Sequence, residues 1–171
     1  PLMGLSALQR LNIMGTHIAD IASLKSLNAL QTLNIWGTQI TDISPLKGLI
    51  SLQHLYIWNT QVSDISPLKR LSALQTLDVM GTQVMDISPL TGLSALQNLS
   101  IAYTKISDLS SLRGLTALEV IYVEYGRVGV LARSLGRKGV VRIPSWLKAS
   151  RKKRLSLQNL GSGTRSFDRE I

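Results

Sequence analysis

Between Leu27 and Leu46 the chain reads LNALQTLNIWGTQITDISPL, and its apolar positions fall in a fixed order. Leu30, Leu33 and Ile35 mark the run LQTLNIW, whose period-2 alternation is that of a strand with one buried face. Gly37 and Thr38 then turn the chain, Ile40 and Ile43 point inward, and Leu46 closes the unit. Ser-Pro pairs at 44–45, 66–67 and 88–89 predict a helical start before the closing leucine, with Ser as cap and Pro at the first helical position. Only about four residues are available there, which favours a 3₁₀ turn over an α-helix.

The unit recurs every 22 residues: Asp20, Asp42, Asp64, Asp86 and Asp108 keep that spacing, as do Thr16, Thr38, Thr60, Thr82 and Thr104. Leu27, Leu49, Leu71, Leu93 and Leu115 follow it too, and the pattern fails near Gly126 in a sixth unit. Stacking such units sets successive strands side by side at about 4.8 Å in a parallel sheet. Each turn then buries its apolar side against its neighbours, so stability is roughly a sum of turn and interface contributions. At about 1.5–3 kcal/mol per fully buried aliphatic side chain, the inward positions offset most of the chain-ordering entropy.

The L-x-x-L-x-x-L-x-[IV] strand, the 22-residue spacing and the D-I-S-P-L segment resemble the internalin-like and SDS22-like class of leucine-rich repeat over about residues 2–124. The resemblance implies an α/β fold, a right-handed solenoid with short parallel strands on its concave face and 3₁₀ turns and loops on its convex face. It also implies that another protein binds on the concave sheet. One departure is consistent: Thr stands after the strand where the family usually has Asn. An Asn ladder satisfies backbone groups between turns, and a Thr hydroxyl is expected to do part of this with fewer hydrogen bonds.

Charge divides the chain in two. Residues 1–126 carry seven basic and eight acidic side chains, a net −1, whereas residues 127–171 carry twelve and two, a net +10. The expected organisation is a solenoid over 1–126 and a basic tail over 127–171, in which Val128 and Leu131 keep repeat-like offsets and add a half-turn. Pro1 falls inside a repeat, so the array is expected to begin upstream of it. No apolar run approaches the roughly 18 residues of a membrane span. The chain has no cysteine, which removes disulfides, thiolate catalysis and cysteine-ligated zinc.

The Asp column could suggest a row of calcium sites. Calcium, however, takes six to eight oxygens, usually from clustered acidic residues, and here each Asp stands alone between apolar neighbours. The favoured reading is a carboxylate accepting local backbone N–H groups at a turn. Catalysis finds no support: His17 and His54 occupy different offsets, and there is no G-x-S-x-G turn, no metal-binding histidine pair and no glycine-rich phosphate loop. The array is expected to be non-enzymatic and to need no cofactor.

The outward strand positions carry the functional signal. One column runs Met14, Trp36, Trp58, Met80, Ala102, Glu124, and the positions before it include Asn34, His54, Tyr56, Asp78, Ser100, Val120 and Tyr122. Four of the eight aromatic residues (Trp36, Tyr56, Trp58 and Tyr122) lie on this face. Trp, Tyr and Met are enriched in interface cores, and contiguous exposed apolar surface marks interaction sites. Stacked aromatics could also serve simply as cover for the sheet. The outward column varies in residue type while the buried columns hardly vary, which favours a protein-binding face over Met14, Asn34, Trp36, His54, Tyr56, Trp58, Asp78, Met80 and Tyr122, bordered also by Asn12.

The tail offers a rival. Arg151, Lys152, Lys153 and Arg154 form a basic cluster that suits a nucleic-acid arm, an anionic surface patch or a localisation signal. A solvated disordered tail is the plainer reading. The abrupt change of charge in mid-repeat is also what non-native coding sequence would produce. Neither compartment nor oligomeric state is written in the sequence.

Overall fold

The computed structural model describes residues 5–123 and two further strand segments, 140–142 and 155–156. Each turn contributes one three-residue strand: β1 (Arg10–Asn12), β2 (Thr32–Asn34), β3 (His54–Tyr56), β4 (Thr76–Asp78), β5 (Asn98–Ser100) and β6 (Val120–Tyr122). These strands lie in sequence order in one parallel sheet. Every pair keeps the 22-residue offset, so Leu11, Leu33, Leu55, Leu77, Leu99 and Ile121 stand opposite one another from strand to strand. β7 (Val140–Arg142) continues the parallel order beside β6, and β8 (Leu155–Ser156) pairs antiparallel with β7. The organisation expected around residue 126, the half-turn at Val128 and Leu131, and the basic cluster all lie outside the described residues.

Across the solenoid, five 3₁₀ turns line the other side: η1 (Ala22–Ser26), η2 (Ser44–Leu46), η3 (Ser66–Arg70), η4 (Ser88–Leu90) and η5 (Ser110–Gly114). The core between sheet and turns is built column by column. Leu33, Leu55, Leu77 and Leu99 at the strand centres are fully buried, as are Ile40, Val62, Val84 and Ile106 after the turn. Leu8, Leu11 and Ile13, in the first described turn, are only partly buried because they pack against this core from one side.

The Asp column caps the 3₁₀ turns. Ser44, Ser66, Ser88 and Ser110 each donate their backbone N–H to Oδ1 of the Asp two residues before, at 2.7–2.8 Å, and their hydroxyl to Oδ2 at 2.7–2.9 Å. In the first turn Ala22 donates N–H to Asp20 at 2.7 Å. The expected Ser cap is therefore corrected: Ser opens the turn as a double donor, and Asp, two residues before it, is the acceptor. Among the described residues no group of three or more His, Cys, Asp or Glu side chains could hold a metal ion.

Thr also acts differently from the expected ladder. Thr16, Thr38, Thr60, Thr82 and Thr104 each donate Oγ1–H to the carbonyl three residues back, at 2.6–2.7 Å. The hydroxyl thus satisfies a carbonyl of its own turn at the strand exit. Bonds between turns come from the main chain instead, for example Gln39 N–H to Ile18 O at 3.1 Å and Gln83 N–H to Val62 O at 3.0 Å. The residue before each Thr is left-handed: φ is 65° at Gly15, 64° at Gly37, 54° at Asn59, 65° at Gly81 and 56° at Tyr103. Gly and Asn adopt this region readily, whereas for a bulky aromatic such as Tyr103 it is an outlier.

Candidate interaction site on the sheet face

The strand exits place the outward columns in register. Trp36 and Trp58 stand on adjacent turns with ring centroids 4.1 Å apart and planes inclined by 8°, a face-to-face stack. On the far side of Trp36, its indole N–H donates to Sδ of Met14 at 3.0 Å, and Asn34 Nδ2 donates to the same sulfur at 3.7 Å. Thioether sulfur is polarizable and pairs well with aromatic groups. Met14, Trp36 and Trp58 therefore form one continuous strip, and the backbone register sets Met80 in the next turn beside Trp58.

Both indoles are half-buried, and Met14 remains 47% exposed. Stacking occupies the facing sides of the two rings.

The polar border is bound into the backbone. Asn12, Asn34 and Asp78 each accept, through Oδ1, the N–H of the residue two positions on, at 3.2, 3.2 and 3.0 Å. These short side chains hold the strand exits in the conformation that presents Met14, Trp36 and Met80, a local use of Asx side chains that the sequence did not reveal. Asp78 is covered, and burial pushes its carboxyl above the usual Asp value, with hydrogen bonds from Met80 N–H and the Ser100 side chain opposing the rise. His54, Tyr56 and Tyr122 are half-buried on the same face.

Three outward positions differ from expectation. Ala102 is fully buried, and Ser100 and Val120 are nearly so. Strands about 4.8 Å apart leave a short side chain in the shadow of larger neighbours on either flank. The apolar strip therefore runs through Met14, Trp36, Trp58 and Met80 and stops short of β5. Glu124 lies outside the described residues.

A family profile described as leucine-rich repeats (2 copies) matches residues 6–48 and 50–92, half of the chain. The chain belongs to the leucine-rich repeat family. Among solved structures it is similar to internalin C2 from Listeria monocytogenes, at 40% identity and a TM-score of 0.70, over 72% of this chain and 54% of that one. It is also similar to the internalin InlF from the same organism, at 30% identity and a TM-score of 0.62, over 77% and 46%. At 20% identity the ectodomain of the plant receptor kinase GASSHO1/SCHENGEN3 from Arabidopsis thaliana shares the fold, with a TM-score of 0.64 over 72% of this chain and 16% of that one. The chain thus spans about half the length of the internalins it matches. No curated protein matches it. Leucine-rich repeat arrays generally mediate protein–protein interaction and are typically non-enzymatic. No helix among the described residues is long and apolar enough to cross a membrane.

Proposed function

We propose that this array binds a protein partner on its concave sheet, with the strip Met14–Trp36–Trp58–Met80 at the centre of the contact and Asn34, His54, Tyr56, Asp78 and Tyr122 around it. The observation that carries the reading is the stacked tryptophan pair, tied to a methionine sulfur through an indole N–H and left half-exposed on the sheet face. A pre-ordered stack loses little side-chain freedom on binding, so more of the contact energy is retained. Large aromatic anchors held in a fixed pose are what central hot spots are built from. The plant ectodomain is solved in complex with Casparian strip integrity factor 2, a precedent for this fold holding another polypeptide.

Sheet cover alone would explain stacked aromatics as well. The two readings separate when a captured protein partner is titrated with the wild type, Trp36→Ala, Trp58→Ala and the control Lys25→Ala on η1. Loss with either tryptophan variant and none with the control supports the concave contact. Equal affinity for all four chains refutes it.

A further inference from the structure

On the side opposite the sheet, between η2 and η3, lies a half-open hollow of about 340 Å³ lined by Lys47, Ser66, Lys69 and Arg70. Lys47 follows η2 directly, and Lys69 and Arg70 end η3, so the two turns bring three cations to one place. Among the described residues none of the three makes an ion pair. The repeat supplies an internal comparison. The column Lys25, Lys47, Lys69, Thr91, Arg113 loses its charge at Thr91. The adjoining column Ser26, Gly48, Arg70, Gly92, Gly114 carries charge only at Arg70. No other pair of adjacent turns supplies three cations from these two columns.

The lining Ser66 is itself bound to a carboxylate. Asp64 is held by Ser66, which gives it both N–H and hydroxyl. The three cations of the lining outweigh the single carboxylate bound to its Ser66, a balance that suits a dianion.

We propose that this hollow binds a phosphate dianion, either inorganic phosphate or the terminal monoester of a larger molecule. A phosphate monoester carries about −1.5 to −2 charges near neutral pH and three strong acceptor oxygens. Arg70 supplies the planar fork that takes two of those oxygens, and Lys47 and Lys69 act as point charges from the two sides. The half-open mouth leaves room for the rest of an ester in solvent. A phosphodiester, with a single charge and two blocked oxygens, fits this balance poorly.

The test is a titration of the full chain at low ionic strength, where exposed charges are least screened, with inorganic phosphate, glycerol 3-phosphate and dimethyl phosphate. Saturable binding of the first two is expected, with dimethyl phosphate much weaker; binding of glycerol 3-phosphate but not inorganic phosphate would identify the ester as the natural form. Lys47→Ala and Arg70→Ala should each weaken binding by about threefold, typical of an exposed charge contact, and the triple Lys47→Ala/Lys69→Ala/Arg70→Ala should abolish it. Lys25→Ala/Lys105→Ala removes as much charge as two of these changes and should leave binding intact, as should Trp36→Ala on the other face. Melting curves of all variants should coincide, Trp36→Ala excepted. No saturation by either phosphate, equal binding of the diester, or equal loss in the Lys25→Ala/Lys105→Ala control would overturn the site.

Discussion

Trp36 and Trp58 are stacked at 4.1 Å between centroids and 8° between planes, closer than their strands, which are about 4.8 Å apart. The two rings lean together over the sheet, and the indole N–H at the edge of Trp36 donates to the Met14 sulfur. Such a pair is worth about 0.5–1.5 kcal/mol beyond the area it covers.

Trp36→Ala or Trp58→Ala should therefore lower stability modestly and cost about 2 kcal/mol or more in partner affinity, as a central hot spot does. The stack itself has an optical check. Coupled indoles give an exciton couplet in far-ultraviolet circular dichroism, expected in the wild type and absent from Trp36→Phe. A wild-type spectrum without the couplet would mean that the rings do not stack in solution.

Leu77 lies at the centre of β4 and is fully buried, with Leu55 and Leu99 opposite it on the flanking strands. Leu77→Ala should cost about 2–5 kcal/mol, the range for a large-to-small change in a core. Denaturant melts give the value. A cost near zero would contradict the register of the sheet.

The capping aspartates tie stability to acid. Hydrogen bonds from Ser44, Ser88 and Ser110, backbone first and then hydroxyl, hold the carboxyls of Asp42, Asp86 and Asp108 below the usual Asp value. A carboxylate whose folded pKa is depressed favours the fold above its unfolded pKa, near 3.8, and loses that contribution as pH falls through the folded value. Melting temperature should accordingly fall as the pH drops below about 4. Asp42→Ala should lower stability at neutral pH and flatten this acid dependence. Calcium should leave both proteins unchanged, and stoichiometric calcium binding to the wild type in calorimetry would overturn the capping role.

Much of this architecture was legible because a strict period writes the same contact six times. Leu33 need only be read once for Leu55, Leu77 and Leu99 to follow, and a lone Asp before a turn has few uses other than capping. What escaped the reading depends on direction rather than spacing. Thr38 could have bonded across turns or within its own, and only the backbone path shows that its hydroxyl returns to Ile35. Ala102 occupies an outward position by alternation, yet its burial depends on the bulk of its flanks. The cations of the hollow sit one residue apart in two columns, and their convergence comes from the packing of η2 against η3.

Asp78 gives the sharpest electrostatic prediction. It is the one acidic residue among the outward strand positions of β1 to β6, and burial raises its carboxyl pKa while the N–H of Met80 and the Ser100 side chain oppose the shift. The sign is opposite to that of the capping aspartates. A raised folded pKa means that the fold favours the protonated acid, so this contribution is present at low pH and is lost as pH rises through the folded value. Near neutral pH Asp78 therefore weighs against the fold. Asp78→Asn keeps an oxygen for the Met80 N–H, now 3.0 Å from Oδ1, and keeps a partner for Ser100 while removing the charge. The variant should melt higher than the wild type at pH 7, and the difference should shrink as the pH approaches 4 and the wild-type acid takes up its proton. Paired thermal melts at several pH values measure it. A variant less stable at pH 7 would show that the carboxylate is needed in its charged form, with hydrogen bonding outweighing its burial.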